Sequence, residues 1–197
     1  MISNADYRLP AIEQSEQSEQ PNNLQLVLKS WPLIALLTIG LCFLTQLVAG
    51  WFGVDLKEQT TIEQMRQMGI YTWRVLTQEG FGAVLKHEAS YKFLLNIPLV
   101  LVLAPVFEEI LFRGLLFNLP AVRFSNLRVP LAILASALFS SAHYLQFPFP
   151  DDAFLALFFF GLAQCWLYRK TSHLWCAMLN HALFNLTNLV LLFVLPQ

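Results

Sequence analysis

The run from Leu99 to Arg113 is apolar except for three residues, the adjacent Glu108 and Glu109 and the basic Arg113. An ionisable group at the centre of a bilayer costs at least about 2.5–3.5 kcal/mol on insertion scales, so such residues mark a functional site facing a protein interior. Positions four apart share a helical face, so Glu109 can pair with Arg113 while Glu108 points about 100° away and stays available. Two further polar groups interrupt apolar segments: Phe139 with His143, and His181 with Asn185. A carboxylate and an imidazole held together can take a proton from water. His181 and Asn185, one helical turn apart, can donate to the oxyanion formed when water attacks an amide, an effect of about 3–4 kcal/mol per donor. The joint chemistry is peptide hydrolysis inside a membrane. Taken singly, the Glu109–Arg113 pair can be a neutralised structural pair, and each histidine can be a hydrogen-bonding link between helices.

Five segments can position these groups. Trp31 to Phe52 carries no formal charge and matches the roughly 20 residues of a spanning helix. Further spans are predicted at about Phe93–Leu119, Val129–Phe147, Ala153–Tyr168 and Leu174–Leu195, the fourth being short. No segment shows the alternation of a barrel strand, so the fold class is all-α: a polytopic transmembrane helix bundle of about five spans. Between the first two spans, residues 53–92 carry five basic and five acidic side chains and are expected to form a charged loop with interfacial helices. Residues 93–197 then make a four-helix catalytic core. Residues 1–30 are polar, with a Glu-Gln-Ser repeat, and are expected to be a disordered tail. The first span follows it as a signal anchor rather than a cleaved leader.

At 56% hydrophobic, 13% charged and a mean hydropathy of +0.54, the chain reads as an integral membrane protein. A net charge of −1 leaves no basic stripe for nucleic acid. Lys29, Arg123, Arg128, Arg169 and Lys170 flank one set of helix ends, whereas the loop after the third span carries Asp151 and Asp152. The positive-inside rule therefore puts the N-terminus in the cytoplasm. Cys42, Cys165 and Cys176 have no metal-binding spacing and are expected as small buried hydrophobes. His87 and His173 fall outside the apolar cores and are assigned to solvent or interface.

Glu108, Glu109, His143 and His181 also suit zinc, but the compact H-E-x-x-H arrangement is absent. No cofactor is favoured, and zinc is the alternative. The segment Ala104 to Gly114 fits an E-E-x-x-x-R motif with flanking Pro105 and Gly114. With F-x-x-x-H at Phe139–His143 and H-x-x-x-N at His181–Asn185, the chain resembles the CPBP family of intramembrane proteases, which includes CAAX prenyl endopeptidases and bacterial Abi proteins. Gly161, Leu162, Thr171, Leu174 and Trp175 extend the resemblance, which covers about residues 93–190.

The resemblance implies a helical core open toward the cytosol. By that analogy Glu108 is the general base, His143 helps activate water, and His181 with Asn185 forms the oxyanion site. Glu109, Arg113 and Phe139 are supporting residues. The family has been described both as metalloproteases and as metal-independent glutamic enzymes, and the missing zinc motif favours the latter. Ser172 and His173 stand where many members have Gly-Ser, and five spans are fewer than the six to eight of many relatives. Residues 53–92 or a partner chain could supply the remaining wall.

The expected function is an intramembrane endopeptidase acting on membrane-embedded or lipid-modified substrates in the lipid bilayer, in a bacterial inner membrane. A non-proteolytic scaffold or bacteriocin self-immunity protein is the second reading. A proton-coupled transporter is a third, weakened by the lack of internal repeats. Neither oligomeric state nor a need for prenylated substrates is legible from the motifs.

Overall fold

The computed structural model describes residues 22–54, 56, 60–146 and 151–194. Among them the backbone forms helices and turns and no strand. α1 covers Asn23–Trp51, α2 Thr60–Glu79, α3 the single turn Phe81–Val84, and α4 Glu88–Arg123. A 3-10 turn at Ser125–Leu127 leads into α5 (Arg128–Gln146), followed by α6 (Asp151–Thr171) and α7 (Leu174–Val194). The chain is thus an all-helical bundle of membrane type.

α1, α4 and α7 are long and apolar enough to cross a membrane by length and composition. α5 and α6 fill the expected third and fourth segments as helices. α5 buries Ser136 and Ser140, and α6 buries Gln164 and ends in Arg169 and Lys170. Helices that spend their surface on protein rather than lipid can carry such residues.

α1 begins at Asn23, eight residues ahead of the boundary expected at Trp31. Asn22 explains the early start, since its side-chain oxygen accepts from Leu24 N–H at 3.1 Å and caps the helix. The added turns are packed, with Val27 fully buried against Leu167 and Cys176. The expected disordered tail therefore does not include residues 23–30; residues 1–21 lie outside the described residues. The segment 53–92 holds α2, α3 and the first turn of α4, with residues 55 and 57–59 outside the description. α2 packs on α4 and α7, and at Gly69 the Phe193 ring sits so close that no Cβ could be accommodated without a shift.

The core is aromatic. Phe112, Phe139, Phe160 and Phe184 pack with Ile34 and Ala35 of α1, tying the first helix to the rest. Trp31 Nε1–H donates to Thr187 Oγ1 at 3.1 Å, a second α1–α7 tie. The outward faces carry Leu36, Phe43, Leu47, Val102, Phe107 and Leu115, all exposed. Apolar exposure on that scale suits lipid rather than water. Cys165 and Cys176 are buried, but Cys42 is half-exposed on α1, so it is not part of the core as expected. It lies on a helix whose outer face is turned away from the bundle.

α4 is not a uniform α-helix. Over Leu99–Leu103 and Ile110–Asn118 its turns widen to i→i+5 bonding, as in Ala104 N–H to Leu99 O and Leu119 N–H to Gly114 O. Such wide turns re-aim side chains relative to a regular helix and occur often at functional sites. Here they bracket Glu108 and Glu109, which lie in the intervening Ala104–Glu109 turn.

Candidate active site

α4, α5 and α7 bring Glu108, Glu109, Arg113, Phe139, His143, His181 and Asn185 into one cluster. Glu109 is wholly buried and is its hub. Arg113 Nη1 lies 3.0 Å from Glu109 Oε1, and His181 Nδ1 lies 2.8 Å from the same oxygen. The pairing of Glu109 with Arg113 follows from their four-residue spacing, while the bond to His181 crosses from α4 to α7 and has no sequence signal.

Arg113 is itself buried and held from three sides. Its Nη2 donates to Gly161 O of α6 at 3.4 Å, and its guanidinium carbon stands 4.6 Å from the Phe139 ring centroid. Phe139, fully buried, also contacts both imidazoles, with centroids 4.5 Å from His143 and 5.9 Å from His181. A cation over an aromatic face is attracted by the ring quadrupole. Phe139 therefore wedges the charged cluster and both histidines into fixed relative positions.

Glu108 turns the other way, toward the open side. Its Oε2 lies 3.6 Å from His143 Nε2 and 3.7 Å from His181 Nε2. Both rings are fixed through their other nitrogen. His143 Nδ1 lies 2.9 Å from Phe139 O, which can only accept, so Nδ1 carries the hydrogen. His181 Nδ1 is tied to the Glu109 carboxylate in the same sense. The outcome is a carboxylate oxygen faced by two oriented Nε2 atoms. Accessibility is graded across the cluster: the Glu108 and His143 side chains are 25% and 23% exposed, whereas His181 is 4% and Glu109 0%. Glu108 and His143 can be reached from outside, whereas Glu109 and His181 cannot.

Asn185 has a task that its spacing from His181 does not reveal. Its Nδ2 donates to Val100 O of α4 at 2.8 Å. In the i→i+5 register that pairs Ala104 with Leu99, the next donor for Val100 O would be residue 105, which is proline and has no N–H. Asn185 thus satisfies a carbonyl that Pro105 leaves open, as backbone groups at membrane depth require.

Sequence reasoning missed a second polar chain beside the first. Gln164 Nε2 donates to Asn180 Oδ1 at 2.8 Å, and Asn180 Nδ2 lies 3.5 Å from Ser30 Oγ, all three residues being buried. A glutamine inside the apolar α6 and an asparagine next to His181 were the available signals. This chain links α1, α6 and α7 directly behind the histidine. Among the described residues no group of three or more His, Cys, Asp or Glu side chains is arranged to hold a metal ion. One nitrogen of His181 is already committed to Glu109.

Residues 90–187 match the family model described as type II CAAX prenyl endopeptidase Rce1-like. No curated protein and no solved structure matches the chain. The matched segment starts near the beginning of α4 and ends in α7, so it encloses all of the clustered residues. From residue 90 to residue 187 the chain is a domain of the Rce1-like family of intramembrane CAAX-type proteases.

Proposed function

We propose that the chain is an intramembrane endopeptidase that cleaves membrane-embedded or lipid-modified peptides, using water activated by Glu108 and His143. The observation that carries this reading is the position of Glu108 Oε2, facing the Nε2 atoms of both His143 and His181. Both gaps are longer than a direct hydrogen bond, which suits a carboxylate that shares one water with two imidazoles. Glu108 takes the water proton as the oxygen attacks the scissile carbonyl, and His143 Nε2 holds the water in line. The same proton is then delivered to the leaving amine.

His181 serves the developing oxyanion. Glu109 and Arg113 neutralise one another, so Glu108 contributes one uncompensated negative charge to the cluster. His181 is held through Nδ1 by Glu109 and turns Nε2 toward the reaction centre. Asn185 retains one amide hydrogen beyond that given to Val100 O and is the second candidate donor. Glu109, Arg113 and Phe139 act by holding His181 and the Glu108 turn in place. The family's name points to prenylated peptides as one substrate class to test. The basic helix ends suit a cytoplasmic N-terminus in a bacterial inner membrane.

The test compares membrane proteomes of a deletion strain complemented with wild-type, Glu108→Gln or His143→Ala protein. Fragments restored by wild type and lost in both variants, at equal protein levels, support the reading. Full cleavage by Glu108→Gln refutes it. Repeating the assay with a chelator separates metal-independent from zinc-dependent hydrolysis, since loss of cleavage that is restored by added zinc would overturn the glutamic mechanism.

A further inference from the structure

A second polar site lies at the basic end of the bundle, away from the acidic cluster. There an open cavity of about 330 Å³ is lined by residues of α4, α5 and α6 and by Ser172 of the turn into α7. Its volume falls within the range of small-ligand pockets, about 300–1,000 Å³. Asn118 lies ten residues beyond Glu108 on α4, or roughly 15 Å at 1.5 Å per residue, so this cavity is separate from the hydrolytic site.

The lining is divided by chemistry. Phe117 is buried at the floor, with Tyr168 set edge-on to it at a centroid distance of 6.3 Å. Arg128, Arg169 and Ser172, all exposed, complete the polar part of the lining with Asn118. No carboxylate lines the cavity, and among the described residues neither arginine has an ion-pair partner. Two planar guanidiniums beside hydroxyl and amide donors form a set matched to phosphate, which arginine binds in bidentate fashion. Ser172 is the one described non-glycine residue with positive φ, at 56°, so the turn that presents its hydroxyl holds an uncommon conformation.

The surroundings identify the source of the phosphate. Val122 is 74% exposed at the cavity edge, and Leu119, one turn earlier, is 66% exposed. An apolar path thus leads from the cavity to the outer face of α4. Lys29, Arg123 and Lys170 stand at the same helix ends, which are the level of lipid headgroups for a spanning bundle. We infer that the cavity between α4, α5 and α6 binds the phosphate of an anionic phospholipid, with Arg128 and Arg169 on the headgroup and an acyl chain along Val122 and Leu119.

The test uses the full-length protein in a neutral detergent, titrated separately with phosphatidylglycerol, phosphatidylcholine and inorganic phosphate. Retained lipid is read by native mass spectrometry, and stabilisation by the thermal midpoint. Phosphatidylglycerol is expected to form a one-to-one adduct and to raise the midpoint more than phosphatidylcholine. The Arg128→Gln/Arg169→Gln variant should bind it about thirtyfold more weakly, roughly fivefold for each basic residue near an anionic surface. The Arg123→Gln/Lys170→Gln variant removes the same charge from the same end outside the cavity lining, and its adduct should change by less than about threefold. Equal losses in the two double variants, or none in the first, overturn the site. Stabilisation by inorganic phosphate alone, lost in the first variant and not matched by lipid, overturns the lipid assignment in favour of free phosphate.

Discussion

Arg113→Leu is the sharpest probe of how the acidic cluster is held. Glu109 is wholly buried and has two nitrogen neighbours on one oxygen, Arg113 Nη1 at 3.0 Å and His181 Nδ1 at 2.8 Å. Removing one partner of a buried pair costs about 3–5 kcal/mol, because the remaining charge stays desolvated. At 1.36 kcal/mol per decade this is roughly two to four powers of ten in the folding equilibrium. The double variant Glu109→Gln/Arg113→Leu removes both charges and keeps a side-chain amide carbonyl at position 109 to accept from His181 Nδ1. It should recover all but about 1 kcal/mol, since replacing a whole buried pair is often nearly neutral. Denaturant titration in micelles, followed by helical circular dichroism, measures both. If Arg113→Leu costs less than about 1 kcal/mol, or the double variant is no better than the single, Glu109 is not the electrostatic hub of the cluster.

Other outcomes follow from the same contacts. Asn185→Ala leaves Val100 O without its donor and should destabilise by about 1–3 kcal/mol in the same titration. Adding Pro105→Ala restores an N–H one wide turn away, so the double variant should regain part of that loss; no recovery would show that Asn185 acts elsewhere. Gly161→Ala puts a Cβ 2.9 Å from Ser136 Cβ and 3.0 Å from Ser136 Cα, forcing α5 and α6 apart. A cost of about 1–3 kcal/mol is expected, and because one clash is with backbone, Ser136→Gly should not fully relieve it. Phe139→Ala removes the wedge between Arg113 and both imidazoles and should cost about 3–5 kcal/mol. Phe139→Leu should retain most of the stability while lowering cleavage, a split that unfolding and activity assays together would reveal.

The helical class, the membrane setting and the motif residues that cluster are written in local order. Runs of apolar residues at spanning length need no tertiary information, and neither does the four-residue spacing that pairs Glu109 with Arg113. Helix limits were less legible: α1 starts at Asn23 because Asn22 caps it and Val27 finds a buried place against α6 and α7. The polar residues within α5 and α6 have a place visible only in the packed bundle. Ser136, Ser140 and Gln164 face protein rather than lipid.

The division of labour within the cluster belongs to the tertiary structure. Sequence separated Glu108 from Glu109 by their positions around one helix, since adjacent residues point about 100° apart. It could not show that His181, 72 residues away, spends Nδ1 on Glu109 and turns Nε2 to Glu108. Nor could it show that Asn185 answers the carbonyl opened by Pro105, because the match depends on a wide turn in α4 meeting a side chain of α7. Spacing fixes which residues share a face. Only the packing of three helices fixes which faces meet, and a buried charge is held by what it meets.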